Sequence, residues 1–110
     1  MKEGNFYIPD NWVVVFFNTS SPHYRILAGW SGGYTTGDSW RINSGITSVT
    51  DDDPYYLFNG NTSSVYRCHK NAYGLRRNNS YVWAGLQEIY GDKVSMLDEE
   101  TNWLTFDWKA

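Results

Sequence analysis

The residues best suited to chemistry lie in one stretch, residues 29–41, which is rich in both glycine and aromatic residues. It contains four of the 10 glycines and two of the 6 tryptophans of the chain. Glycines let the backbone turn successive N–H groups inward, and such a nest binds anions. Trp30, Tyr34 and Trp40 offer flat faces for stacking, and Arg41 offers a planar fork of hydrogen-bond donors. These side chains are therefore candidates for holding a nucleotide-like or carboxylated ligand. The alternative is that the glycines form a wide turn and the tryptophans fill the core beneath it.

A second pattern places arginines beside aromatic residues further along the chain. An arginine with an aromatic neighbour suits a phosphate group and a stacked base. This pattern adds Arg67, Tyr73 and Arg76 to the candidate ligand-binding or partner-binding residues. Surface arginines whose stems cover apolar surface produce the same pattern, so both interpretations stay open.

Motifs of known enzymes match only in part. Gly32 and Gly37 have the spacing of a phosphate-binding loop, but an Asp follows where that loop requires Lys. Residues 29–33 fit the GxSxG pattern of serine hydrolases, yet a poor helix follows and the chain is short for that fold. The aspartates at 51–53 lack the alternate spacing of a calcium loop and predict a solvated acidic turn. With Cys68 as the single cysteine, we expect no catalytic residue, no metal site and no cofactor.

Composition limits the classes of function. A chain of 110 residues is expected to form one domain, residues 1–110. The net charge of −3 argues against general binding to nucleic acid. The sequence has no apolar run of about 18 residues and no signal-peptide pattern, so we expect no membrane contact and a cytoplasmic location. A single cysteine is consistent with a reducing compartment.

Apolar patterns predict mostly strands. The continuous apolar run at 12–17 indicates a strand buried on both faces, and residues 23–28 are expected to pair with it as a hairpin. Further strands are expected at 39–42, 46–50, 55–58, 64–68, 93–97 and 103–108. Residues 43–45 (NSG) indicate a turn, and residues 59–62 (NGNT) indicate the loop of a hairpin between the strands at 55–58 and 64–68.

Only one segment shows helical spacing, residues 80–90. Asn79 or Ser80 is expected to cap its start and Gly91 to end it, and Gly85 indicates close packing at mid-helix. The helix is expected to pack through Val82, Leu86 and Ile89. The predicted fold is therefore α+β: a single domain in which one helix packs on a twisted antiparallel sheet.

Four segments together resemble a group of small uncharacterised accessory proteins encoded by tailed phages, cyanophages among them. The segments are LAGWSGGY (27–34), GDSWRINSGI (37–46), VYRCHK (65–70) and YGLR (73–76). The resemblance covers roughly residues 9–97 and carries over no functional residue. It implies a context, because small phage accessory proteins often inhibit host defence.

The resulting functional hypothesis is a non-enzymatic, phage-type binding protein in the host cytoplasm. It would counteract host defence by binding a host protein or by sequestering a small anionic, nucleotide-like ligand. A small enzyme and a structural or virion-associated interaction protein are the alternatives.

Overall fold

The computed structural model describes residues 6–32 and 37–109. These ranges contain eight strands and one α-helix, which lies between the seventh and eighth strands. The elements are β1 (Phe6–Tyr7), β2 (Asn11–Phe17), β3 (His23–Trp30), β4 (Ser39–Ile42), β5 (Ile46–Asp52), β6 (Tyr55–Gly60), β7 (Val65–His69), α1 (Arg77–Tyr90) and β8 (Val94–Met96), with a 3₁₀ turn at Gly91–Lys93.

The strands divide between two four-stranded sheets, where the sequence suggested one. The first sheet has the order β1-β7-β6-β5 and the second the order β4-β3-β2-β8. Neighbours are antiparallel except β1 and β7, which are parallel. The predicted class, α+β with one helix, is confirmed. Two sheets form because the β2–β3 hairpin and the β5–β6–β7 meander each present an apolar face that the other covers.

Strand β2 lies at the centre of the fold, as its continuous apolar run predicted. Trp12 faces the other sheet and packs in one cluster with Phe58. Val13 and Val15 face the helix and pack in a second cluster with Val82. Because successive residues of a strand point to opposite faces, a strand between a sheet and a helix needs apolar residues at every position.

Helix α1 begins at Arg77, three residues before the predicted start. The side chain of Asn79 lies inside the first turn, where it accepts the backbone N–H of Arg76 at 2.9 Å. Gly91 ends the helix with φ of 61°, as predicted. Val82 and Leu86 pack against the second sheet, but Ile89 is 76% exposed, so its predicted packing role is wrong. The last turn of α1 contacts the sheet through Tyr90 instead, whose ring centroid lies 5.5 Å from that of Phe17.

The predicted close packing at Gly85 is also wrong, because a Cβ atom added there would meet nothing within 4 Å. Alanine is a better helix former than glycine by about 1 kcal/mol. We therefore expect Gly85→Ala to raise the free energy of unfolding by about 1 kcal/mol, measured by urea denaturation. Gly29→Ala is the control, because its Cβ would lie 2.0 Å from Asn78 Oδ1 and should destabilise the protein. If the free energy of unfolding of the Gly85→Ala variant were no higher than that of the wild type, the conclusion that the space around Gly85 is open would be contradicted.

The strand predicted at 103–108 is wrong: these residues form an irregular segment with a turn. Their backbone hydrogen bonds include a local one, from Thr105 N to Asn102 O. Aromatic side chains dock the segment instead, with Trp103 only 2% exposed and Trp108 packed against the same cluster. The other predicted strands are present, the one at 39–42 with the predicted bounds and the rest with one or both ends shifted. Within the described ranges, no helix has the length and apolar character needed to cross a membrane.

Candidate functional site

The glycine-rich stretch is shorter as a loop than the sequence suggested. Its two ends belong to β3 and β4, and Tyr34 lies outside the described residues. Ser31 N donates to the Asp10 carboxylate at 2.8 Å, and Gly32 N donates to the Asp38 carboxylate at 3.3 Å. Two N–H groups of the expected anion nest are therefore occupied by the protein's own carboxylates.

The aromatic and arginine side chains of this stretch separate onto two faces. Trp40 and Arg41 are consecutive in β4, so their side chains point to opposite sides of the sheet. The Arg41 guanidinium lies 4.6 Å from the ring centroid of Tyr7. Trp30 also adjoins Tyr7, edge-on with ring centroids 6.2 Å apart. Arg41 and Trp30 thus share a neighbour, whereas Trp40 faces away and is 43% exposed.

Arg67 lies apart from Arg41, on the outer face of β7, where it belongs to an ion-pair cluster. Its Nε contacts the Asp52 carboxylate at 3.1 Å. Lys70 contacts the carboxylates of Asp51 and Asp53 at 2.8 and 3.0 Å, and these hydrogen bonds raise the pKa of Lys70. Asp51 and Asp52 end β5, and Asp53 lies in the turn that follows. The aspartates are therefore exposed beside a turn, as predicted, and they also form the acidic half of these ion pairs.

Tyr73 and Arg76 lie in two further places. The Tyr73 hydroxyl donates to Leu97 O at 2.5 Å and accepts from Val14 N at 3.1 Å. Burial raises the pKa of Tyr73 to about 12. The polar end of Tyr73 is therefore used within the fold. Arg76 is exposed at the start of α1.

A pocket of about 210 Å³ opens beside Arg41, at the edge of the space between the two sheets. We call it the Arg41 pocket. It lies where the turn at 43–45 meets the turn at 61–64. Its lining in the described part of the chain contains no Asp or Glu and consists of Tyr7, Arg41, Ile42, Asn43, Ser44, Thr62, Ser64 and Tyr66.

The two turns are held together by direct hydrogen bonds. Asn61 N donates to Gly45 O at 3.0 Å, and the Ser44 hydroxyl donates to Asn61 Oδ1. The hydroxyls of Ser44 and Thr62 lie 2.9 Å apart. Both segments were predicted as turns from the sequence. Their contact preforms this side of the pocket, which favours binding because little ordering is needed.

Asn43, which lines the pocket, has an unused hydrogen-bond donor. Its side chain is 3% exposed, and its Oδ1 accepts the backbone N–H of Ile26 at 2.8 Å. Its Nδ2 has no hydrogen-bond partner among the described residues. Leaving a buried donor unpaired costs about 1–3 kcal/mol. A ligand that accepts from Asn43 would remove this cost.

The pocket is electropositive and rich in donors. The salt bridges in the described part of the chain belong to Arg67 and Lys70, so Arg41 has none there. Burial raises the pKa of Tyr66 to about 12, although the Arg41 charge acts to lower it. The Tyr66 phenol therefore keeps its proton at neutral pH and can donate beside the Arg41 guanidinium.

Of the pocket lining, sequence reasoning identified only Arg41. Strand alternation places Tyr66 on the same face as Cys68, and Asn43 and Thr62 were expected in turns, but nothing local to them indicates that they meet. Comparison of the chain with known protein families, with curated proteins and with solved structures gave no match.

Proposed function

We propose that the protein is a non-enzymatic binding protein that captures a small anionic ligand in the Arg41 pocket. One observation carries this proposal. Among the described residues, the pocket combines an arginine without a carboxylate partner with the buried, unpaired Nδ2 of Asn43, and no acid lines it.

The position of the Arg41 guanidinium suits an oxyanion. The guanidinium lies over the Tyr7 ring, 4.6 Å from the ring centroid. A guanidinium presents its N–H groups as a planar fork, which carboxylate and phosphate oxygens bind in pairs. Tyr66 and Asn43, which line the same pocket, each carry a neutral donor, the hydroxyl and Nδ2 respectively.

The chemistry of the lining supports binding more than catalysis. Hydroxyl groups of Ser44, Thr62 and Ser64 line the pocket, but no His, Lys, Asp or Glu of the described chain lies in the lining to act as the general base that such nucleophiles need. The thiol of Cys68 lies in the core, where burial raises its pKa well above the ordinary value. A thiol kept protonated is a poor nucleophile.

In the phage-type context that the sequence resemblance implies, the pocket would counteract host defence by removing an anionic signal from the host cytoplasm. Its volume of about 210 Å³ suits a small acid or the anionic end of a nucleotide-like ligand. Binding of a host protein has weaker support. The exposed large apolar side chains lie on β1, β4, α1 and connecting or terminal segments instead of on one element.

The test is titration with propyl phosphate and with propanoate, followed by amide chemical shifts in NMR spectra. We expect saturable shifts at residues lining the pocket. Arg41→Ala should weaken binding at least tenfold, because a hydrogen bond to a charged group contributes about 1.5–3 kcal/mol. Its stability should change little, since Arg41 is exposed.

Arg77→Ala is the matched control, because Arg77 is an exposed arginine outside the pocket lining. It should bind both anions with wild-type affinity. Absence of saturable binding to either anion, or equal affinity in the Arg41→Ala and wild-type proteins, would overturn the proposed function.

A further inference from the structure

We infer that the Arg41 pocket selects a small oxyanion that also carries hydroxyl groups, a polyol phosphate or a hydroxy acid. This inference rests on the proposed function and deepens it. It comes from the direction in which the hydroxyl groups of the two turns donate their protons.

The Ser44 hydroxyl donates its single proton to the side chain of Asn61. Asn61 Oδ1 can only accept a hydrogen bond, and the Ser44 hydroxyl contacts it directly. The orientation of the Asn61 amide is consistent with this, because its Nδ2 donates to Ser44 O at 3.4 Å.

The Thr62 hydroxyl must then donate its proton to the Ser44 hydroxyl. The hydroxyls of Ser44 and Thr62 lie 2.9 Å apart, and one of them must donate. Since the Ser44 proton goes to Asn61, Thr62 is the donor. The free lone pairs of Thr62 can therefore only accept hydrogen bonds from a ligand.

The lining consequently presents two kinds of group. Arg41 and Tyr66, on strands, offer donors to an anionic group, and Asn43 adds a buried donor. Thr62, on the turn, offers an acceptor to a hydroxyl of the ligand. A plain anion would use the donors and leave the acceptor unused, whereas a hydroxylated anion would use both.

The size of the pocket limits how large such a ligand can be. Its volume of about 210 Å³ is below the range of roughly 300–1,000 Å³ that is usual for drug-sized ligands. A three-carbon skeleton with one oxyanion is therefore a suitable probe.

The experiment uses two matched pairs of probes on the full chain, with dissociation constants measured by NMR titration. Glycerol 1-phosphate is compared with propyl phosphate, and glycerate with propanoate. Each pair shares one carbon skeleton and differs in hydroxyl groups. We expect the hydroxylated member of at least one pair to bind about two- to tenfold more tightly, the effect of one neutral hydrogen bond. The pair with the lower dissociation constants shows whether the pocket prefers a phosphate or a carboxylate ligand.

Thr62→Val removes the accepting oxygen with little change of shape, and Thr62 is exposed, so the fold should be retained. We expect this variant to lose the preference for the hydroxylated probe, so that its dissociation constants for the two members of a pair become equal. Thr50→Val, at an exposed position of β5 outside the pocket lining, is the control and should keep the preference.

The possible failures are distinguishable. Equal binding within both pairs, with binding still dependent on Arg41, overturns the inference and leaves the proposed function standing. Equal weakening of both members of a pair by Thr62→Val also overturns the inference, since Thr62 would then shape the pocket instead of accepting a hydroxyl. Absence of binding by all four probes overturns the inference and the proposed function together.

Discussion

Trp103→Ala is expected to lower the free energy of unfolding by about 3–5 kcal/mol, as truncation of a buried tryptophan does. Trp103 is 2% exposed although it lies in an irregular segment. Its ring centroid lies 5.7 Å from that of Trp12, 6.0 Å from that of Phe58 and 5.6 Å from that of Tyr73. Removing the indole would leave a cavity between the sheets, and urea denaturation would measure the loss.

Trp40→Ala is the matched control, because the same side chain is removed from a position that is 43% exposed. The loss there should be less than half of that for Trp103→Ala, since much of the Trp40 ring already contacts water. Equal losses for the two variants would contradict the docking of the C-terminal segment into the core.

Asn11→Leu is expected to lower the free energy of unfolding by about 3 kcal/mol, because unpaired buried polar groups cost about 1–3 kcal/mol each. Asn11 is 0% exposed and joins β2 to the start of α1. Its Nδ2 donates to Gly74 O at 3.0 Å and to Asn79 Oδ1 at 3.2 Å, and its Oδ1 accepts from Asn78 Nδ2 at 2.7 Å. Leucine has a similar volume but can replace none of these bonds.

Asn71→Leu makes the same chemical change at an exposed position and should alter stability by less than about 0.5 kcal/mol. Thermal and urea denaturation of both variants would test the difference. A loss of under 1 kcal/mol for Asn11→Leu would show that the three asparagines do not act as a network.

This network also explains why the start of α1 was misplaced from the sequence. Asn79 was expected to stand before the helix as a cap, because asparagine is favoured there. Its side chain instead lies in the first turn, where it accepts from Arg76 N and Asn11 Nδ2. The partner that holds it there, Asn11, is 68 positions away in sequence, so no local pattern could indicate the contact.

In the candidate site, too, only some features could be predicted from the sequence. Arg41 stood out because an arginine in a glycine- and aromatic-rich stretch is unusual, and the structure places it in a pocket. Arg67 had a similar sequence context, yet its guanidinium contacts Asp52 on another face. The residue type alone could not predict which arginine lines a pocket and which forms an ion pair, because each outcome depends on whether the neighbouring strand brings a carboxylate close.

The sequence by itself determined the local elements of this protein. Strand β2, its hairpin with β3, the β6–β7 hairpin and the end of α1 at Gly91 were all predicted, because apolar periodicity and turn residues act between near neighbours. Only the tertiary structure decided the division into two sheets, the irregular docking of residues 103–108 and the Arg41 pocket. Each of these depends on contacts between segments far apart in the chain, such as the turns at 43–45 and 61–64, whose meeting is set by strand pairing and by burial of the shared core.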